Sequence, residues 1–253
     1  MRLHLFRSPH NAPLALALQG GGAHGAFTWG VLDALLEQRA NPIVAVSGAS
    51  AGAMNALLLA HGLLEGGREG ARAALAAFWN ALGQSVPWDA WGLVTGDGVQ
   101  FTAPAQWMLR WVQAVSPAQA NPMRMNPLRD LLAKSVDFER LRRQSRIALH
   151  IAATHANSGR LRVFDNANLS LDAAMASACL PSLHHAVEID GGEHLASLPS
   201  SSKLITHSAL LQRLHDAGRD RALQWLQAHA QHIGRRSTLD LIGAFGSHHP
   251  PAV

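Results

Sequence analysis

Near its start the chain repeats one pattern in close succession: a short apolar run, a glycine-rich turn, then a helical stretch. Residues 14–19 read LALALQ, and Gly20-Gly21-Gly22-Ala23-His24-Gly25 follows at once. Residues 43–46 read IVAV, and Ser47-Gly48-Ala49-Ser50-Ala51-Gly52 follows in the same way. Apolar runs this short, ended by glycine, read as buried strands. After the first turn, Phe27, Val31 and Leu35 fall on one helical stripe over 26–39, with Leu32 and Leu36 beside it. After the second, 53–63 is apolar nearly all round, as in a helix enclosed by a core. Strand, turn and helix twice over predict parallel strands joined by crossover helices, an α/β fold.

The second turn carries a chemical pattern. Gly48-Ala49-Ser50-Ala51-Gly52 matches GxSxG. A serine on a sharp strand-to-helix turn projects its hydroxyl out of a strained backbone. The flanking Gly48 and Gly52 are needed because a Cβ there would strike the neighbouring strand or helix. The following helix points free N–H groups toward any developing oxyanion. A tight turn with an incidental serine is the plain alternative. The flanking strand and apolar helix favour Ser50 as a nucleophile.

The first turn fits GxGxxG, and more than one chemistry competes for it. A dinucleotide site needs an acidic residue about 20 positions on, at the end of the second strand. That strand ends in Val46-Ser47-Gly48, with no carboxylate, and there is no GK[ST] for a P-loop. The remaining chemistry is an oxyanion hole, in which glycine amides converge on a tetrahedral intermediate. Gly20, Gly21, Gly22 and Gly25 are its candidates, and His24 reads as a loop-surface residue.

Further along, 83–126 carries Trp88, Trp91, Trp107 and Trp111 among Gly, Pro and polar residues, and reads as a mixed helix–loop insertion. These tryptophans suit either an acyl-binding cover, a lipid-docking surface or ordinary core. Short helices are expected at 128–134, 138–143 and 171–177. A hairpin is expected at 147–154 and 160–164 around Asn157-Ser158-Gly159. A short strand at 186–189 precedes Asp190-Gly191-Gly192. Beyond 200 the composition shifts, and 207–232 predicts a long amphipathic helix with Leu210, Leu211, Leu214, Leu223 and Leu226 on its apolar side.

Composition excludes several classes. With 48% hydrophobic and 15% charged residues the chain is globular, and its +4 net charge is scattered rather than striped, which argues against nucleic-acid binding. The lone Cys179 allows no internal disulfide and fits a reducing, cytoplasmic setting. No signal-peptide pattern and no apolar run near the ~20 residues of a membrane span occur, so membrane association is expected to be peripheral. The 15 histidines show no metal-ligand spacing, and neither metal nor cofactor is called for.

The segments LALALQGGGAHGAFTWGVLDAL, VSGASAGAMNALLLAHG and ASACLPS resemble the patatin-like phospholipase family. The resemblance implies a three-layer α/β fold, with a mostly parallel central sheet flanked by helices, over 12–199, and a helical tail over 200–253. It implies an acyl hydrolase acting on lipid or phospholipid through a Ser–Asp dyad of Ser50 and Asp190. Asp190-Gly191-Gly192 is the one DG[GA] match. The chain departs from the family beyond it: Glu193-His194-Leu195-Ala196-Ser197-Leu198-Pro199 follows, without a second DGG or Asn-x-Pro, as though further strands of the sheet were missing. Asp190 therefore has two readings, dyad base or leftover hairpin turn. A relative with a weakened dyad that binds lipid surfaces is the alternative function. A pairing of 186–189 beside the strand leading to Ser50 is the arrangement expected if the dyad is intact.

Overall fold

A computed structural model describes residues 12–38, 41–85, 92–95, 98–103, 107, 126–179, 187–189, 193–196 and 207–238. Strand β1 (Leu14–Leu18) leads through the glycine loop into α1 (Gly25–Gln38), and β2 (Ile43–Ala49) leads through Ser50 into α2 (Ala51–Gln84). Then come β3 (Gly92–Thr95), β4 (Gly98–Phe101), α3 (Pro127–Ser135), α4 (Phe138–Gln144), β5 (Ala148–His155) and β6 (Leu161–Phe164). Helix α5 (Leu171–Ala178), strands β7 (Val187–Ile189) and β8 (Glu193–Ala196), and helix α6 (Ser208–His229) complete the order.

The sheet runs β1-β2-β5-β8-β7, with β6 also on β5. Its centre is parallel: β1 pairs β2 and β2 pairs β5 in the same direction. The remaining pairs, β5–β6, β5–β8 and β7–β8, are antiparallel. Both parallel crossovers step the same way across the sheet. Right-handed crossovers that step the same way put their helices on the same face. The burial pattern follows. Leu16, Val46 and Leu149 form one row and Leu18, Gly48, Ile151 and Phe164 the next, facing α2 and α5 in the core. The opposite face carries small residues, in rows Ala15–Ala45–Ala148, Ala17–Ser47–His150 and Ala49–Ala152–Val163. Ala15, Ala17, Ala49, Ala148 and His150 on it are exposed.

Helix α2 is broken at Gly66 and Gly67, where Gly67 has φ +61°, so the helix predicted over 53–63 is the first arm of an αα-corner whose second arm ends at Gln84. Arg68, just past the break, donates to the Leu36 carbonyl at 2.7 Å and the Leu35 carbonyl at 2.8 Å. It thereby satisfies the last turn of α1 with a cation where the helix dipole is negative. Side chains of Asn126, Asp137 and Ser170 cap α3, α4 and α5.

The predicted stripe of α1 is shifted. Trp29, Leu32 and Leu36 are buried, whereas Phe27 is 36% exposed. The cause is that α1 is covered on more than one side, by α2 and by α6. The buried line of α6 is His207, Leu211, His215, Gly218, Ala222 and Leu226, smaller and more polar than the leucine face predicted. Gly218 makes this possible: a Cβ there would lie 2.0 Å from the Phe27 carbonyl oxygen. Ion pairs close the joint. Asp33 accepts from Arg72 at 2.6 Å and from Arg219, which also reaches Glu37. His215 packs against Trp29 with the rings tilted and their centroids 4.0 Å apart. Burial pushes the Asp33 carboxyl up, but the Arg72 hydrogen bond and the Arg72, Arg219 and His215 charges outweigh it and hold it below its ordinary value.

The 83–126 stretch contains an antiparallel hairpin, β3–β4, not only helix and loop. The signal was Gly96-Asp97-Gly98 between LVT and VQF. Trp88, Trp91 and Trp111 lie outside the described residues; Trp107 is 71% exposed. The β5–β6 hairpin forms as predicted, with Gly159 at φ +66°. No described helix is long and apolar enough to cross a membrane.

Candidate active site

Ser50 ends β2 and begins α2, and its backbone sits at φ 54°, ψ −124°. It is the one non-glycine residue with positive φ among those described. L-residues occupy this region only where the surroundings force it. Here the force is close packing on both sides. A Cβ at Gly52 would lie 2.2 Å from the Leu18 carbonyl oxygen, and one at Gly48 would lie 2.5 Å from the backbone of Gly52. The turn is thus too tight for side chains at either flank, and the half-buried Ser50 side chain makes no capping hydrogen bond to α2.

The elbow is braced from behind. The Ser50 N–H donates to the Ser177 hydroxyl at 2.8 Å, and that hydroxyl donates to the Ala152 carbonyl at 2.6 Å. Ser177 is buried at the end of α5, so one side chain ties the elbow both to β5 and to the helix crossing beneath the sheet. Sequence reasoning assigned Ser177 no role. Its signal was a serine between alanines in the small-residue helix 171–177.

The glycine loop lies against the elbow. A Cβ at Gly20 would be 2.7 Å from the Ala49 carbonyl oxygen and 3.3 Å from the Ser50 Cβ. Gly21 starts a short 3-10 turn, Gly22–His24, in which Gly22 has φ +56°. Gly25 behaves differently from its neighbours. Its N–H turns back to the Gly22 and Ala23 carbonyls, and its Cα packs so closely that a Cβ would lie 2.5 Å from the Ala51 Cβ. Gly25 is therefore a packing position, and its amide is already engaged. His24 is exposed, as a loop-surface residue should be.

A buried relay fixes loop and helix together. The Trp79 indole N–H donates to the Asn55 carbonyl at 2.8 Å, and the Asn55 amide donates to the Gly25 carbonyl at 2.9 Å. Asn55 is fully buried, so both halves of its amide must be satisfied, and they are. Its signal was an amide in an almost wholly apolar helix, where His61 is the other polar residue over 53–63.

Asp190, Gly191 and Gly192 lie outside the described residues. The strands around them show that 187–189 does not pair beside β2. Among the described residues β7 pairs with β8 alone, at Val187–Leu195 through Ile189–Glu193. Strand β8 joins β5 at Ala196–Thr154 and Leu195–His155. Thr154 also pairs Leu161 of β6, so β8 takes the opposite edge of β5, the edge that β2 leaves after Ala152. The β7–β8 pair thus stands beyond the end of β2, on the side where the elbow lies. No group of three or more metal-ligating side chains occurs among the described residues.

A strained serine at a strand–helix junction, walled by glycines and packed against a glycine loop, stands at the end of the parallel centre of this α/β fold. Residues 16–197 match the family model "Patatin-like phospholipase", and the chain belongs to that family. No match occurs among the curated proteins. Among solved structures it is similar to VipD from Legionella pneumophila, at 17% identity and TM-score 0.41, over 79% of this chain and 49% of that one. It is also similar to the ExoU–SpcU complex of the Pseudomonas aeruginosa type III secretion system, at 19% identity and TM-score 0.40, over 87% and 53%. The chain spans about half the length of these structures, and at such distances the likeness adds nothing to the family match.

Proposed function

We propose that the chain is a serine acyl hydrolase of lipid esters, phospholipid acyl chains among them. Ser50 Oγ attacks the ester carbonyl, and its proton passes to the Asp190 carboxylate. The amides of Gly20, Gly21 and Gly22 receive the oxyanion. Asp190 returns the proton to the departing alcohol, and water then releases the acyl group by the same steps in reverse order. The observation that carries this reading is the strained Ser50 backbone, held by the Ser177 brace with the hydroxyl left out of capping. A fluorophosphonate probe tests it: Ser50 is labelled in the native chain, and Ser50→Ala is not. Labelling of Ser50→Ala at the native level would defeat the proposal.

A second reading is a lipid-surface binder with a weakened dyad. The register of β8 favours it, because Leu195 pairs His155 and the strand toward Glu193 lies past that pair, away from the elbow. Asp190→Asn separates the two. Loss of ester turnover with the fold retained supports the dyad, and unchanged turnover supports the second reading.

A further inference from the structure

The outer end of the β5–β6 hairpin combines features that nothing in the elbow requires. Leu161 is 71% exposed and Val163 is 46% exposed. They are two apart on β6, so both project from the open, alanine-lined face of the sheet. Arg160 and Arg162 alternate with them on this exposed rim, with Arg162 stacked over Phe164 at 5.5 Å. Together with His155, Ser158 and Leu161, the two arginines line an open cleft of about 440 Å³. In water, an exposed leucine and valine gain nothing, and paired arginines favour anions. Apolar side chains set among cations fit a surface that is apolar inside and anionic outside.

The hairpin is also continuous with the elbow. Val163 pairs Ala152, and Ala152 pairs Ala49, the residue before Ser50. Two strand spacings put Val163 about 10 Å from the elbow strand. Between them runs a shallow groove of about 390 Å³, lined by Ala17, Ala49, Ala152, Val163 and the polar Ser47 and His150. Its small side chains leave room for an extended chain, and the volume lies at the small end of ligand sites.

We propose that the Arg160–Val163 edge of the β5–β6 hairpin docks on an anionic lipid bilayer. Leu161 and Val163 enter the headgroup region, Arg160 and Arg162 meet the phosphates, and the alanine groove opens from the bilayer toward Ser50. This deepens the lipid-hydrolase reading and rests on it for its purpose, but docking needs no catalysis. The test therefore uses the full chain carrying Ser50→Ala, so that vesicles stay intact, in flotation with phosphatidylcholine vesicles with and without phosphatidylglycerol.

Binding is expected only with phosphatidylglycerol present. Leu161→Asp is expected to abolish it. Each of Arg160→Gln and Arg162→Gln should weaken it about five-fold, the effect of one cation near such a surface. Arg143→Gln, an exposed arginine on α4 at the other end of β5, should leave it unchanged, with circular dichroism confirming the fold of every variant. The proposal is overturned by absent binding, by equal binding to neutral vesicles, by full binding of Leu161→Asp, or by an equal loss in Arg143→Gln. A dimer in solution that Leu161→Asp dissolves, without vesicle binding, would assign the edge to a second copy of the chain instead. Failure of vesicle binding while Ser50 still reacts with the fluorophosphonate would sink the docking surface and leave the hydrolase standing.

Discussion

The elbow corner and the α1–α6 joint are both built on backbone approaches that a Cβ would block, at Gly48 and Gly52 in one and at Gly30 and Gly218 in the other. They are held by opposite chemistry. At the elbow the polar partners are neutral and buried: Ser177, Asn55 and Trp79 satisfy single backbone or amide groups. At the α1–α6 joint they are charged, with Asp33 buried and its partners Arg72 and Arg219, together with Glu37, reaching solvent. Neutral hydrogen bonds hold atoms in place without imposing a field on the reacting group. Exposed ion pairs add little net stability and are screened by salt. The contrast teaches which end is built for positioning and which for docking a helix.

The sharpest way to break the comparison is at the nucleophile. Ser50→Ala should cut ester turnover by a factor on the order of 10⁶, as loss of a nucleophile does elsewhere, with the melting temperature little changed. A large drop in stability would show that Ser50 is structural like the residues of the α1–α6 joint. Gly22→Val comes next. Forced out of its positive φ, the loop loses an aligned amide, and turnover should fall about 10²–10³-fold in a chain still folded by circular dichroism. Near-normal hydrolysis of a short-chain ester would remove the glycine loop from the oxyanion proposal.

At the other joint, Gly218→Leu should act on stability alone. Overpacking against the Phe27 carbonyl is expected to cost roughly 3 kcal/mol in denaturant unfolding, and protease should release α6 first. Turnover per folded molecule should stay the same, and a loss there would show that α6 reaches the site. Ser177→Ala tests the brace. It strands the Ser50 N–H and the Ala152 carbonyl, at about 1–3 kcal/mol, and should lower kcat more than it raises KM.

The smallest effect is acid sensitivity of the α1–α6 joint. Asp33 and Asp216 are both held below their ordinary values; for Asp216 the His215 hydrogen bond is the main cause. A carboxyl depressed in the folded state contributes stability that is present above its unfolded value and lost as pH falls through the folded one. The loss therefore belongs below about pH 4. Thermal unfolding of Asp33→Asn should show a shallower fall in that window than the native chain. An identical fall would place the acid sensitivity elsewhere.

The strands and helices around both glycine turns were legible because each is local: an apolar run, a turn that only glycine permits, and a helical period follow one another in the chain. The turn at Ser50 was legible for the same reason, since the glycines that permit it stand two residues away on either side. The hairpin at Gly159 and the long helix of the tail were equally local. What the sequence could not determine was contact between distant segments. Ser177 reaches Ser50 across 127 positions, and Arg219 reaches Asp33 across 186; no period or spacing carries such pairs. The buried face of α1 was misjudged because it depends on α6 arriving to cover it. The place of β7 depended on β8 taking the edge of β5 that β2 leaves free. Local backbone preference is written residue by residue, whereas the partner of a side chain is chosen only when packing brings the segments together.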